Sequence, residues 1–307
     1  MGKTKVVNTT IKNEHSLGRQ IWKNNVSYLM LLPFMLCFIT FTVLPVLASI
    51  VLSLTDFNML ETPGLVWIDN YVRLLQDDIF LIGFKNTMVL AFLCGPLSYI
   101  FSFFMAWVIN EMPKGLRVFM TIVFYAPSVS ANIYFIWTYL FSGDSYGIVN
   151  AALMQLGILR EPVLWLTDPK FNLTIVIVVQ LWLSLGVSFL SFIAGLQGVD
   201  ASQYEAGAID GIKNRFQELW YITIPNMKSM MLFGAVMAIS GAFSCGQVSQ
   251  DLTGGYQSVN YSTMTILNYI TDFGSVRYEM GYACCVAVVL FALMVISKQL
   301  IFRLLKW

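Results

Sequence analysis

Apolar residues in this chain do not alternate with polar ones; they run together in blocks long enough to fill a bilayer. A hydrocarbon layer of about 30 Å takes roughly 20 residues of helix, and lipid offers no partner to an unpaired backbone amide, so each block predicts a spanning helix. Six blocks fit: Val26 to Leu54, Asn86 to Ile109, Val118 to Phe141, Leu173 to Leu196, Met230 to Val248 and Gly281 to Phe302. The expected fold class is an all-α integral membrane protein with six transmembrane helices. The first block is too long, and too far from the amino terminus, to be the core of a cleaved signal peptide, so it is expected to stay. The expected organisation is a tail at 1–25, a first helix at 26–54, an external segment at 55–85, a five-helix core at 86–302 and a short end at 303–307.

Composition agrees with a lipid-embedded chain. Of the 307 residues 57% are hydrophobic and 11% charged, against roughly 25% charged in soluble domains. A net charge of +1 argues against a basic surface for nucleic acid. The distribution of charge carries more than its sum. On these boundaries 13 of the 18 Lys and Arg residues fall on the side of the termini and five on the other. That bias places both termini, the Glu111 to Arg117 loop and the segment 200–227 in the cytoplasm.

Several chemistries are excluded by what is missing. His15 is the only histidine, so no histidine triad or multi-histidine metal site can be built. The Gly-Lys-Thr at residues 2–4 has no room upstream for the glycine and strand of a phosphate loop. Nucleotide hydrolysis, if the chain depends on it, must come from another subunit. The five cysteines lack metal-ligand spacing and read as small packing residues; Cys284 and Cys285 are neighbours but face different directions on a helix. Carboxylates cluster in loops, not in the apolar blocks, which weakens the case for an ion-coupled carrier working alone.

The segment "YEAGAIDGIKNRFQELWYITIP", Tyr204 to Pro225, is the most charged and helix-prone stretch between two apolar blocks. Ser202 and Glu205 have capping-box spacing, which starts a helix near Gln203. Asp210 and Gly211 form a turn signal, and a second helix runs from about Asn214 until Pro225 breaks it. Phe216, Leu219, Trp220 and Thr223 then share one face. Such a ridge either packs on the chain's own helices or fills a groove in a partner.

The same residues resemble the cytoplasmic EAA loop of binding-protein-dependent ABC importer permeases, whose pattern is E-A-A-x-x-D-G-A, about nine variable residues, then I-x-L-P. This chain reads Glu205-Ala206-Gly207, Asp210-Gly211-Ile212 and Ile222-Thr223-Ile224-Pro225. Gly207, Ile212 and Ile224 depart from the common alanines and leucine, and Leu219 stands where an aromatic is frequent. The stretches at 70–87, 147–169, 181–206 and 252–256 are similar to the maltose-type, multiple-sugar branch.

The resemblance implies an ABC importer permease fold with a cytoplasmic coupling hairpin, in the bacterial inner membrane. It also implies a second permease subunit, two cytoplasmic ATPases that hold ATP and magnesium, and an extracytoplasmic solute-binding protein. This chain would itself bind no cofactor and catalyse nothing. Carried over by position, Glu205 would meet a basic group on the ATPase, with Asp210 and Gly211 at the turn. Ala206, Gly207 and Ala208 would allow close approach, Phe216, Leu219 and Trp220 would be the apolar contacts, and Pro225 would close the segment.

Sugar recognition calls for aromatic faces and hydrogen-bonding side chains near the bilayer midplane. On the fourth and fifth blocks the expected pathway residues are Trp182, Gly186, Ser188, Phe243, Ser244 and Gln247, although small polar residues also glue helices together. Pro33 and Pro45 are expected to kink the first block. Three external segments carry eleven carboxylates, a surface for docking a binding protein or simply a solvated rim. The alternatives to a sugar importer subunit are a permease for glycerol phosphates or another solute, an ion-coupled carrier and a membrane-bound enzyme. Few basic groups lie in the inner blocks, which favours neutral or oligomeric sugars over anions.

Overall fold

The computed structural model describes residues 25–130 and 133–304; most of the amino-terminal tail and the last three residues lie outside them. The chain divides into two units, Met1–Val51 and Leu52–Trp307.

In the first unit, α1 (Asn25–Leu52) is 28 residues long and apolar enough to cross a membrane. It runs unbroken through Pro33 and widens into a π turn at Ile39–Val43, just before Pro45. Proline lacks an amide hydrogen and crowds the carbonyl four residues back, and a wider turn relieves both demands without a sharp break.

The second unit is built on α3 (Asp78–Asn110), a 33-residue helix continuous through Pro96. It begins eight residues before the apolar block because the Asp77 side chain accepts from the Ile79 and Phe80 amides at 2.8 and 3.2 Å. Preceding it is the short α2 (Asp69–Gln76). Farther along come α4 (Lys114–Val129), α5 (Tyr134–Leu140) and α6 (Ile148–Gln155). The third block is therefore not one helix. Pro127 lies in the last turn of α4, and Ser130 is extended, which ends the helix twelve residues early.

The fourth block is also broken, into α7 (Asn172–Leu183) and α8 (Val187–Gln197), with Ser184 to Gly186 between them. The fifth gives α11 (Lys228–Phe243) and α12 (Gly246–Thr253), after a hairpin of α9 (Ala201–Ile209) and α10 (Arg215–Asn226). Its break is held from outside, since the Gly246 carbonyl accepts from the Asn268 side chain at 2.9 Å. The short α13 (Ile266–Thr271) leads to α14 (Met280–Leu304), which matches the sixth block.

Helices α3, α8 and α11 pack most closely, and glycine makes that possible. A side chain at Gly234 would enter the Phe192 ring, and one at Gly95 would meet Ile239 at 3.1 Å. Three apolar clusters follow along α3, around Tyr269 at one end, Val176 in the middle and Phe189 towards the other.

Candidate functional site

The hairpin lies at the Asn110 end of α3. Its first helix is capped by Asp200, whose carboxylate accepts from the Ser202 amide at 3.0 Å. The expected Ser202–Glu205 box does not form, because Asp200 stands two residues earlier and takes the cap. Glu205 is left exposed on α9. Gly211 makes the turn at φ +95°, a conformation that side chains resist. Asn214 caps α10 by accepting from Gln217 at 2.8 Å.

The second helix closes within one residue of Pro225, as expected. A π turn at Leu219–Thr223 precedes it, as one precedes Pro45, and the helix continues to Asn226 before an 84° bend into α11. The wider turn also splits the expected aromatic face. Thr223 turns inward, 3% exposed, and its hydroxyl pairs with the Tyr204 hydroxyl at 2.9 Å. Phe216 and Trp220 stay outside, 72% and 59% exposed. Gly207 is buried against Ile222 and Ile212, so its missing side chain serves packing within the hairpin, not approach by a partner. Ala206, Ala208, Asp210 and Gly211 are exposed.

Two contacts fasten the hairpin to α3. The Phe216 ring lies 5.4 Å from that of Trp107, and Arg215 reaches Glu111 at 3.4 Å while bonding Glu218 at 2.6 Å. The Glu218 hydrogen bond, with Glu111 behind it, raises the affinity of the Arg215 guanidinium for its proton. A polar cavity of about 160 Å³ lies between the hairpin and α3, lined by Asn110, Tyr204, Leu219 and Thr223 among others. Trp220 and Pro225 line a separate apolar slot of about 250 Å³ beside Tyr99 and Lys228.

Midway along the bundle, the break in the fourth block opens a cleft of about 380 Å³. Gln180, Ser184, Gly186 and Ser188 line it from the broken helix, and Ser240, Gly241 and Ser244 from α11. The opposite wall is Ser98 of α3 with Tyr125 and Ser128 of α4. Ser102 donates to the Ser184 carbonyl at 3.1 Å, so α3 is tied to the break itself. Sequence reasoning overlooked the α3 and α4 wall; the signal available was a serine in each apolar block, at Ser98 and Ser128.

Of the six expected pathway residues, Gly186, Ser188 and Ser244 line the cleft. Phe243 is 3% exposed and belongs to the cluster around Tyr269, because successive helical side chains point about 100° apart and only Ser244 is turned to the cleft. Trp182 packs edge-on against Trp137 at 5.2 Å, in a chain of rings reaching Trp165 and Phe171. Gln247 lies beyond the α11 break and donates to Asp251 at 2.8 Å.

At the other end of α3 the segments expected as external carry short helices and specific side-chain bonds. Tyr269 donates to Asp77 at 2.6 Å and lies 3.1 Å from the Tyr282 hydroxyl. Burial, reinforced by the Asp77 bond, holds its phenol well above the ordinary range. Arg73 pairs with Glu279 across the Tyr282 ring, and Arg277 with Asp272. Many of the carboxylates read as a rim are thus structural: Asp77, Asp272 and Glu279 pair with side chains, while Asp56, Asp144 and Asp168 accept from backbone amides.

The profile of the binding-protein-dependent transport system inner membrane component covers residues 100–306. The chain belongs to this family. Curated relatives of this transport component include the lactose transport system permease protein LacF of Rhizobium radiobacter, 31% identical over 85% of this chain and 88% of that one. The probable ABC transporter permease protein YesP of Bacillus subtilis is 29% identical over 93% and 92%. Among solved structures, a chain of a bacterial ABC transporter that imports the acidic polysaccharide alginate superposes with a TM-score of 0.73. It is 26% identical, over 94% of this transport component and 98% of that chain. The helical fold and the hairpin-bearing core are those of an ABC importer permease.

Proposed function

We propose that this transport component is one of two membrane-spanning subunits of an ATP-driven sugar importer. The observation that carries the reading is the hairpin itself: Glu205, Asp210, Gly211, Phe216 and Trp220 stay exposed at the end of a 33-residue helix whose middle borders a serine-rich cleft. An exposed hairpin with aromatic tips is a helix-in-groove element, and the groove would belong to a cytoplasmic ATPase holding ATP and magnesium. Glu205 would meet a basic group there, and Phe216 and Trp220 would supply apolar area. Leu219 and Pro225 act from behind, by shaping α10.

Both termini would then face the cytoplasm, in line with the lysine and arginine bias. The opposite end, around α2 and α13, would receive a solute-binding protein, and a second permease would complete the pathway. The cargo reading rests on relatives named for lactose, arabinooligosaccharides and trehalose or maltose, together with a cleft lined by hydroxyls.

The test is crosslinking in native membranes from cysteines placed at Ala206 and Phe216, both exposed. Adducts with an ATPase in a complex that also contains a second permease are expected. Hairpin adducts confined to this chain, with sugar uptake that persists after ATP depletion, would sink the proposal. Gly211→Asp should stay in the membrane at normal abundance and lose sugar-stimulated ATP hydrolysis.

A further inference from the structure

The slot behind the hairpin lies between α3, α10 and α11 and holds about 250 Å³. Tyr99, Trp220, Pro225, Met231 and Leu232 wall it together with the exposed Lys228, and no carboxylate lines it. Its depth is that of the upper part of a lipid leaflet. Lys228 is the first residue of α11, and Met231 and Leu232 follow within about one turn. Tyr99 lies about 16 Å inside the Asn110 end of the spanning helix α3, whereas the hydrocarbon of one leaflet is about 15 Å deep. The slot therefore runs from headgroup level into the first part of the acyl chains.

The polar groups in this otherwise apolar wall match that position. The Tyr99 ring is held edge-on by Phe192 at 5.4 Å, and its hydroxyl is buried with no hydrogen-bond partner among the described residues. A buried donor without an acceptor carries the cost of an unmade bond. The ester carbonyl of a glycerolipid is an acceptor that arrives attached to an apolar chain. Lys228, a compact and strongly hydrated charge, favours a phosphate with net negative charge over a zwitterionic headgroup. Trp220, 59% exposed, brings the amphipathic ring that settles at the boundary between headgroups and hydrocarbon.

We infer that the slot seats an anionic phospholipid from the leaflet that borders the hairpin. One acyl chain lies against Met231 and Leu232, the glycerol ester meets the Tyr99 hydroxyl, and the phosphate meets Lys228. The inference goes beyond the importer reading and stands without it. Trp220 and Pro225 belong to α10 and Met231 and Leu232 to α11, and these two helices meet at 84°. A lipid lodged against both braces that angle, so the charge of the surrounding bilayer has a direct mechanical contact with the hairpin.

The experiment is native mass spectrometry of the assembled transporter from mixed micelles, with palmitoyl-oleoyl phosphatidylglycerol and phosphatidylcholine as the competing probes. Phosphatidylglycerol should be retained about fivefold better, the effect of about one lysine at an anionic surface. Lys228→Gln should bring the two lipids level, and Leu232→Trp, which fills the slot, should remove the adduct of either. Tyr99→Phe should weaken both equally. Lys228→Gln changes an exposed side chain and decides the matter even if a slot-filling variant fails to fold. A phosphatidylglycerol carrying a diazirine on its acyl chain should label Met231 or Leu232. Equal retention of the two lipids by the native chain, or a preference that survives Lys228→Gln, would overturn the inference. So would a crosslinker at Leu232→Cys that captures a second permease subunit and no lipid, because the slot would then be covered by protein.

Discussion

A methyl group added at Gly207 would come within 2.5 Å of the Ile222 Cδ1 and 3.0 Å of the Ile212 Cδ1. Related hairpins commonly carry alanine at both 207 and 212, so this chain has moved volume from one position to the other, a glycine facing an isoleucine. Volume-conserving exchanges of this kind cost little, whereas adding bulk to a packed site costs about 1 to 3 kcal/mol. Gly207→Ala alone should therefore lower the hairpin's resistance to limited proteolysis. Adding Ile212→Ala should restore it, because Ile222 can swing into the vacated space. Equal sensitivity of the single and double variants would break the pairing. The departure at each position was visible in the sequence, but not that one compensates the other, since contact between them exists only after the chain turns at Gly211.

Among the elements, prolines show where pattern reading stops. Pro45 sits just after a π turn and its helix runs on, as α1 does through Pro33 and α3 through Pro96. Pro127 and Pro225 lie instead where α4 and α10 stop, each within two residues of the helix end. The break in the fourth block was hidden for a different reason: "WLSLGVS" is apolar enough to read as continuous helix, and only the cleft and the Ser102 bond reveal the gap. Ser102 is fully buried, so Ser102→Ala leaves the Ser184 carbonyl short of a donor. A loss of about 1 to 3 kcal/mol in thermal unfolding of the purified transporter is expected. The exposed Arg215–Glu111 pair should behave oppositely, with Glu111→Gln changing stability by less than about 1 kcal/mol. A large loss there would mean the pair is shielded in the assembly.

For the second unit taken whole, long-range bonds at the Asp78 end of α3 decide the arrangement. Gly281 lets the chain at Thr55 pass so closely that any side chain would strike its carbonyl, and the Gly281 amide donates to Phe57 at 2.8 Å. Asp77, Tyr269 and Tyr282 then join α3, α13 and α14. Tyr269→Phe should destabilise by about 1 to 3 kcal/mol, because Asp77 loses a buried donor. A melting temperature unchanged from the native chain would argue that water replaces the phenol. Spans, hairpin and turn were legible because each is a local pattern of apolar runs, caps and glycine. Phe243 and Trp182 lie off the cleft, and Asp77 and Glu279 are bonded, because these placements depend on partners up to about 200 residues away, for which a single sequence carries no local signal.

With its first turn bonded through Asp77, α3 would act as a pointer about that end. At 1.5 Å per residue it is about 50 Å long, so a tilt of about 5° moves the Asn110 end by about 4 Å. Ser98, about 30 Å from the pivot, then travels about 2.5 Å. A stroke applied at the hairpin would thus be geared down into a shorter and more forceful one at the cleft wall.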